Sequence, residues 1–146
     1  MKKIVSVFLL VALAVSLCAC GKTATTCENF VSVMEQAGYT VEEMTDGPEG
    51  SKGYAAYNDD QSFVLYFYEM GQDRYAVNAY NYDRNNFETM SGSSTYVSAG
   101  NYGCATKTSG GMFYMSAFIG STYLYGECGS DQADTMKDLF KTLGYK

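Results

Sequence analysis

Residues 113–128 read Phe113-Tyr114-Met115-Ser116-Ala117-Phe118-Ile119-Gly120-Ser121-Thr122-Tyr123-Leu124-Tyr125-Gly126-Glu127-Cys128. Phe113, Met115, Ala117 and Ile119 alternate with Tyr114, Ser116 and Phe118, and a Gly-Ser pair separates this run from a second one. Period two marks a strand whose faces meet different surroundings, and a Gly-Ser pair between two such runs folds the chain back on itself. The pair is an antiparallel hairpin. Outward from it the pattern repeats. Phe63, Leu65 and Phe67 alternate with Val64, Tyr66 and Tyr68, and Tyr75, Val77 and Ala79 alternate with Asn78, Tyr80 and Tyr82. Turn chemistry lies between the runs at Asn58-Asp59-Asp60, Gly71-Gln72-Asp73, Ala99-Gly100-Asn101 and Ser109-Gly110-Gly111. Strands are therefore expected at 53–58, 62–69, 74–82, 94–98, 102–108, 112–119 and 122–128, with a further one at 39–44 beside an acidic loop at 45–52. A short helix is expected at 84–90, with Asp83 as its cap and Gly92 as its stop.

On both sides of the alternating region the period changes. Thr25 followed by Glu28 is a capping box, and Cys27, Phe30, Val33, Met34 and Ala37 recur at helical spacing up to Gly38. Ser130 or Asp131 begins a matching segment, in which Ala133, Met136, Leu139, Phe140 and Leu143 form one face before Gly144. The expected helices are 26–37 and 131–143, each stopped by Gly-Tyr, which an internal duplication or simply the common Gly stop explains. The expected fold class is α+β: an antiparallel meander sheet of about six to seven strands, with an N-terminal and a C-terminal helix packed on one face. At 146 residues with 47% apolar side chains, one domain over 26–146 is expected.

The start of the chain follows different rules. Lys2 and Lys3 precede Ile4–Leu17, fourteen residues that are apolar except for Ser6 and Ser16. This suits the roughly 7–15-residue core of a secretory signal and falls short of the about 20 residues a membrane span needs. The run ends Leu17-Cys18-Ala19-Cys20-Gly21. Here the sequence resembles bacterial lipoproteins, whose lipobox is an aliphatic residue, a small variable residue, Gly or Ala, and an invariant Cys. Leu17, Ala19 and Cys20 sit on that pattern, and Cys18 takes the variable position. The resemblance implies a signal peptide over 1–19, cleavage between Ala19 and Cys20, and a diacylglycerol on the Cys20 thiol. It implies a tether over 20–25 and a protein lipid-anchored on the extracytoplasmic face of the cell membrane. Membrane lipid is then its first partner.

Composition narrows the function. No His is present, which removes the usual neutral-pH base, the Ser-His and Cys-His nucleophile pairs and the commonest metal ligand. Net charge is −6, and about −8 once Lys2 and Lys3 leave with the signal, so the basic footprint of a nucleic-acid binder is missing. No metal site and no cofactor is expected: the mature chain has no C-x-x-C, no spaced acidic calcium loop and no phosphate-binding Gly motif. After Cys18 and Cys20, the thiols are Cys27, Cys104 and Cys128, as buried free thiols or with one disulfide among them. A hairpin about 109–111 sets Cys104 opposite Met115, and one about Gly120-Ser121 sets Cys128 opposite Phe113. The carboxylate pairs have plain roles in turns and helix starts, and an enzyme is not expected.

Fourteen Tyr stand out, many of them in the alternating segments. Tyr66, Tyr68, Tyr80, Tyr82, Tyr114 and Tyr123 would line the sheet face that the two helices leave open. A phenol offers a rigid apolar ring with a polar tip, which suits a protein, peptide or glycan ligand, although Tyr is also simply at home on a half-exposed sheet. The function expected is a non-catalytic binding or interaction module. The alternative is a structural or accessory subunit of a membrane-associated envelope complex.

Overall fold

The computed structural model of the chain describes residues 21–48 and 50–146. Ala19, Cys20 and the signal peptide expected over 1–19 lie outside the described residues. The elements in order are α1 (Cys27–Gln36), β1 (Thr40–Met44), β2 (Lys52–Tyr57), β3 (Phe63–Glu69), α2 (Asp73–Thr89), β4 (Ser93–Ala99), β5 (Tyr102–Ser109), β6 (Met112–Ile119), β7 (Thr122–Gly129), a 3-10 turn (Ser130–Gln132) and α3 (Ala133–Thr142).

The strands form one seven-stranded sheet in the order β1-β2-β3-β7-β6-β5-β4, and all neighbours are antiparallel. Two meanders, β1–β3 and β4–β7, lie side by side and join through β3 and β7. Tight two-residue turns set the register of the second meander: Ala99 pairs with Tyr102, Ser109 with Met112, and Ile119 with Thr122. Gly100, Gly110, Gly111 and Gly120 supply the positive φ such turns require. Phe113 faces Cys128 as expected, but Cys104 faces Ala117 and not Met115. The reason is the turn: the loop is Gly110-Gly111 alone, so Ser109 pairs with Met112 and each β5 residue meets a partner two places farther along β6 than expected.

On the first face, α1 and α3 cover the sheet. Phe30 and Met34 from α1 and Met136 and Phe140 from α3 meet Phe63, Leu65, Phe67, Phe113, Met115 and Leu124 in one core. Phe30 stacks on Phe67 with ring centroids 5.0 Å apart. Thr26, not Thr25, caps α1: its Oγ1 accepts from the Asn29 N–H at 3.2 Å, while the Thr25 hydroxyl accepts from the Asn29 side chain. The last helix starts later than expected, behind the 3-10 turn, and carries no side-chain cap. Both Gly-Tyr stops close alike. Tyr39 N–H donates to Met34 and Tyr145 N–H to Phe140, each over a left-handed glycine. Tyr39 then tucks against Phe63, and Tyr145 is fully buried.

The other face departs from the expectation. Residues 74–82 are not a strand and 84–90 not a separate helix; they belong to the seventeen-residue α2. Ala76, Tyr80, Asp83 and Phe87 recur at intervals of four, three and four, a single helical stripe laid on β5, β6 and β7. The alternation of Tyr75, Val77 and Ala79 is the half-buried flank of that stripe. Tyr and Val favour strands only weakly, and packing against Ala105, Phe118 and Tyr123 overrides the preference. Helices therefore lie on both faces of the sheet.

Candidate functional site

α2 reaches β5–β7 and leaves β1–β3 bare on its side of the sheet. There the alternation raises Tyr57 from β2 and Val64 and Tyr66 from β3, with Tyr125 of the neighbouring β7 at the margin of the part that α2 covers. Tyr66 and Tyr125 are register partners whose rings lie 6.2 Å apart. Beside them is a cavity of about 230 Å³ lined by Glu42, Ala55, Tyr57, Gln61, Val64 and Tyr66. Two phenols are tied to carboxylates: Tyr57 Oη donates to Glu42 Oε1 at 2.5 Å, and Tyr125 Oη to Glu127 Oε2 at 3.0 Å. The hydrogen bond to Glu42 raises the Tyr57 phenol, and burial followed by the Glu127 charge raises that of Tyr125. Both stay protonated donors at neutral pH, and each carboxylate accepts one of them with acceptor capacity left over. The result is an aromatic shelf with an acceptor rim, suited to a ligand rich in N–H or O–H groups.

Of the residues expected on this face, Tyr66, Tyr68, Tyr114 and Tyr123 do share it. Tyr66 is half-buried and borders the cavity. Tyr68 leans its ring over Gly53, its cross-strand partner, where a Cβ would meet the ring at 2.6 Å. Tyr114 packs against Phe87 under α2, and Tyr123 is buried there. Tyr80 and Tyr82 are corrected, because both ride on α2. Tyr80 is buried against Phe118, while Tyr82 is 70% exposed and points away from the sheet stripe. The structure adds Tyr57 and Tyr125, the cross-strand partners of Val64 and Tyr66.

Under α2 lies an acid that the sequence disguises as a helix cap. Asp83 Oδ2 accepts from Ser116 Oγ and from Tyr123 Oη, each at 2.5 Å. Burial holds its carboxyl above the ordinary value, against the pull of those two donors. The folded chain therefore keeps this proton to higher pH than the unfolded chain, whose aspartate titrates near about 3.9. Through this group, stability rises as pH falls through the native pKa toward that value, and the gain is lost again on raising the pH. Urea unfolding between pH 7 and pH 4 should show the natural chain gaining stability on acidification relative to Asp83→Asn. Parallel curves would refute it.

Cys27, Cys104 and Cys128 are free and buried. Burial, reinforced by Glu69 and Asp131 respectively, pushes the Cys27 and Cys128 thiols up to about 11, so they are inert packing groups at neutral pH. Among the described residues, no cluster of three or more Cys, Asp or Glu is placed to hold a metal ion, and no helix is long and apolar enough to cross a membrane.

No protein-family model and no curated protein matches the chain. A solved structure of similar fold is a GTP binding regulator from Thermotoga maritima, 16% identical, with 82% of this chain covered, 87% of that one, and a TM-score of 0.54. At that identity the likeness is one of fold: an open antiparallel sheet with helices, in the α+β class.

Proposed function

We propose that the chain is a lipid-anchored protein of the extracytoplasmic membrane face, and that it is a non-catalytic binding module using the tyrosine shelf on β1–β3. The observation that carries the reading is where the shelf sits relative to the tether. The Cys27 N–H donates to Glu69 Oε1 at 2.7 Å, at the far end of β3. Lys22 lies 3.9 Å over the Tyr102 ring, and its carbonyl accepts from Asn101 at 3.2 Å. The chain thus enters the domain at the pole carrying the β4–β5 and β6–β7 turns. Tyr57, Gln61 and Val64 lie at the other pole, about 20 Å away along β3 at about 3.3 Å per residue. A lipid on Cys20 would hold the first pole to the bilayer, with two acyl chains giving stable retention. The shelf would then face outward, toward a donor-rich peptide, protein or glycan.

The test expresses the natural chain, Cys20→Ala, and Tyr57→Ala/Tyr66→Ala in a lipoprotein-processing bacterium. The natural chain should enter the detergent phase at the mass of residues 20–146 plus acyl groups, and Cys20→Ala should remain uncleaved. On peptide and glycan arrays the tyrosine variant should lose binding that Tyr82→Ala retains. A water-soluble, unmodified product would refute the anchor, and equal binding by both tyrosine variants would refute the shelf. Purification only as a stable complex with the shelf covered would favour an accessory subunit.

A further inference from the structure

β4 is an edge strand unlike its counterpart. All seven of its residues, Ser93–Ala99, are exposed, with Val97 at 53%. It pairs with β5 without a bulge from end to end. It contains no charge, proline or glycine, the devices by which edges are usually closed to further pairing. The opposite edge, β1, carries Glu42 and Glu43. Half of the backbone N–H and C=O groups of β4 turn away from β5, ready for another strand.

Next to this edge, on the first face beyond α3, a groove of about 230 Å³ is lined by Val97, Tyr102, Cys104, Met115, Lys137 and Lys146, among others. Its floor is apolar and its rim carries two lysines, of which Lys137 is shared with the exposed Asp134 at 2.8 Å, so that with Lys22 the balance there stays positive. Lys137, Lys146 and the nearby Lys22 are three of only ten basic residues in a chain of net charge −6. Such a concentration of positive charge in an acidic protein selects for carboxylates.

We propose that β4 takes an extended acidic segment of a partner protein as an eighth strand. The segment's backbone pairs with the β4 edge, its apolar side chains enter the groove, and its carboxylates meet Lys137 and Lys146. A second copy fits less well. Antiparallel pairing of two β4 edges about a two-fold axis normal to the sheet puts both grooves on one side and sets lysine against lysine. The site is separate from the tyrosine shelf and does not depend on it.

Fluorescence anisotropy of the full chain with the labelled heptapeptide Glu-Ser-Val-Ser-Glu-Ser-Val, which carries its glutamates and valines on one face of a strand, tests this. Binding should exceed that of the lysine-valine counterpart by at least about tenfold at low salt. Lys137→Glu with Lys146→Glu should remove about tenfold of it, and N-methylation of alternate peptide amides should abolish it without touching the protein. Equal binding of acidic and basic peptides, equal binding of the N-methylated peptide, or no binding at millimolar peptide would each overturn the proposal. Sedimentation as a dimer that excludes the peptide would also overturn it, assigning the edge to a second copy.

Discussion

Phe67→Ala should cost about 3–5 kcal/mol, the range for truncating a buried phenylalanine, against a total stability of about 5–15 kcal/mol for a domain of this kind. Phe67 is fully buried at the centre of β3, between Tyr54 and Leu124, and stacks on Phe30. The cost depends on whether α1 can settle into the space left behind. Its start is held by the bond from the Cys27 N–H to Glu69, and its end by the Gly38-Tyr39 stop. A ten-residue helix fixed at both ends follows a receding floor poorly, so most of the cavity should persist. The melting temperature of the full chain should fall by about 10–20 °C. In urea the midpoint should move while the slope stays constant. Tyr66→Ala, one residue away on the same strand, opens onto the bare shelf and should cost about 1 kcal/mol, mainly its contact with Tyr125. Equal losses at 66 and 67 would mean that the two faces of β3 do not differ as the packing says.

The contrast between neighbours at 66 and 67 is the part of the fold that alternation makes legible. Period two says that adjacent residues face opposite ways, and the glycine-bearing turns say that successive strands are antiparallel. The first and last helices are equally plain, because Phe30 with Met34 and Met136 with Phe140 keep helical spacing up to a Gly stop. α2 hides because its inner stripe contains a charge. Asp83 occupies the position where a helix normally presents an apolar side chain to a sheet, and an aspartate in a sequence reads as surface or cap. Only the hydroxyls of Ser116 and Tyr123, distant in sequence and brought together by β6 and β7, make that position tolerable. The misreading then spreads to the candidate site. With α2 taken as a strand, Tyr80 and Tyr82 join the shelf and nothing covers Tyr123. The order β3-β7 is hidden for a related reason: α2 carries the chain from mid-sheet to the far edge, and no local pattern encodes which strand closes the gap.

That crossover ends at a corner where a methyl group should be costly. Gly92→Ala should lose about 3 kcal/mol or more, about 1–2 from forcing a side chain into the left-handed region and the rest from collision. Gly92 has φ +99°, and a Cβ there would fall on the Thr108 carbonyl oxygen, which is backbone and cannot swing aside. The corner cannot shift as a unit either. Lys107, 2% exposed, donates through Nζ to the Met90 carbonyl at 2.5 Å and to Ser94 Oγ at 3.1 Å, with the Gly92 carbonyl farther off at 3.4 Å. Moving Gly92 outward strips acceptors from a buried ammonium, which costs more than the strain it relieves. Gly100→Ala is the matched comparison, with φ +58° and open space around the new methyl, so it should lose only the conformational part. Thermal unfolding of the two variants should separate them by at least about twofold in lost stability, and equal losses would show that the Thr108 carbonyl yields. Because β4 hangs from this corner and is held on one side only, the Gly92 variant should also exchange its β4 amides faster while those of β5 stay protected. The corner thus bears on both proposed surfaces, because it joins the end of α2, which covers β5–β7 and not the shelf, to the start of the β4 edge.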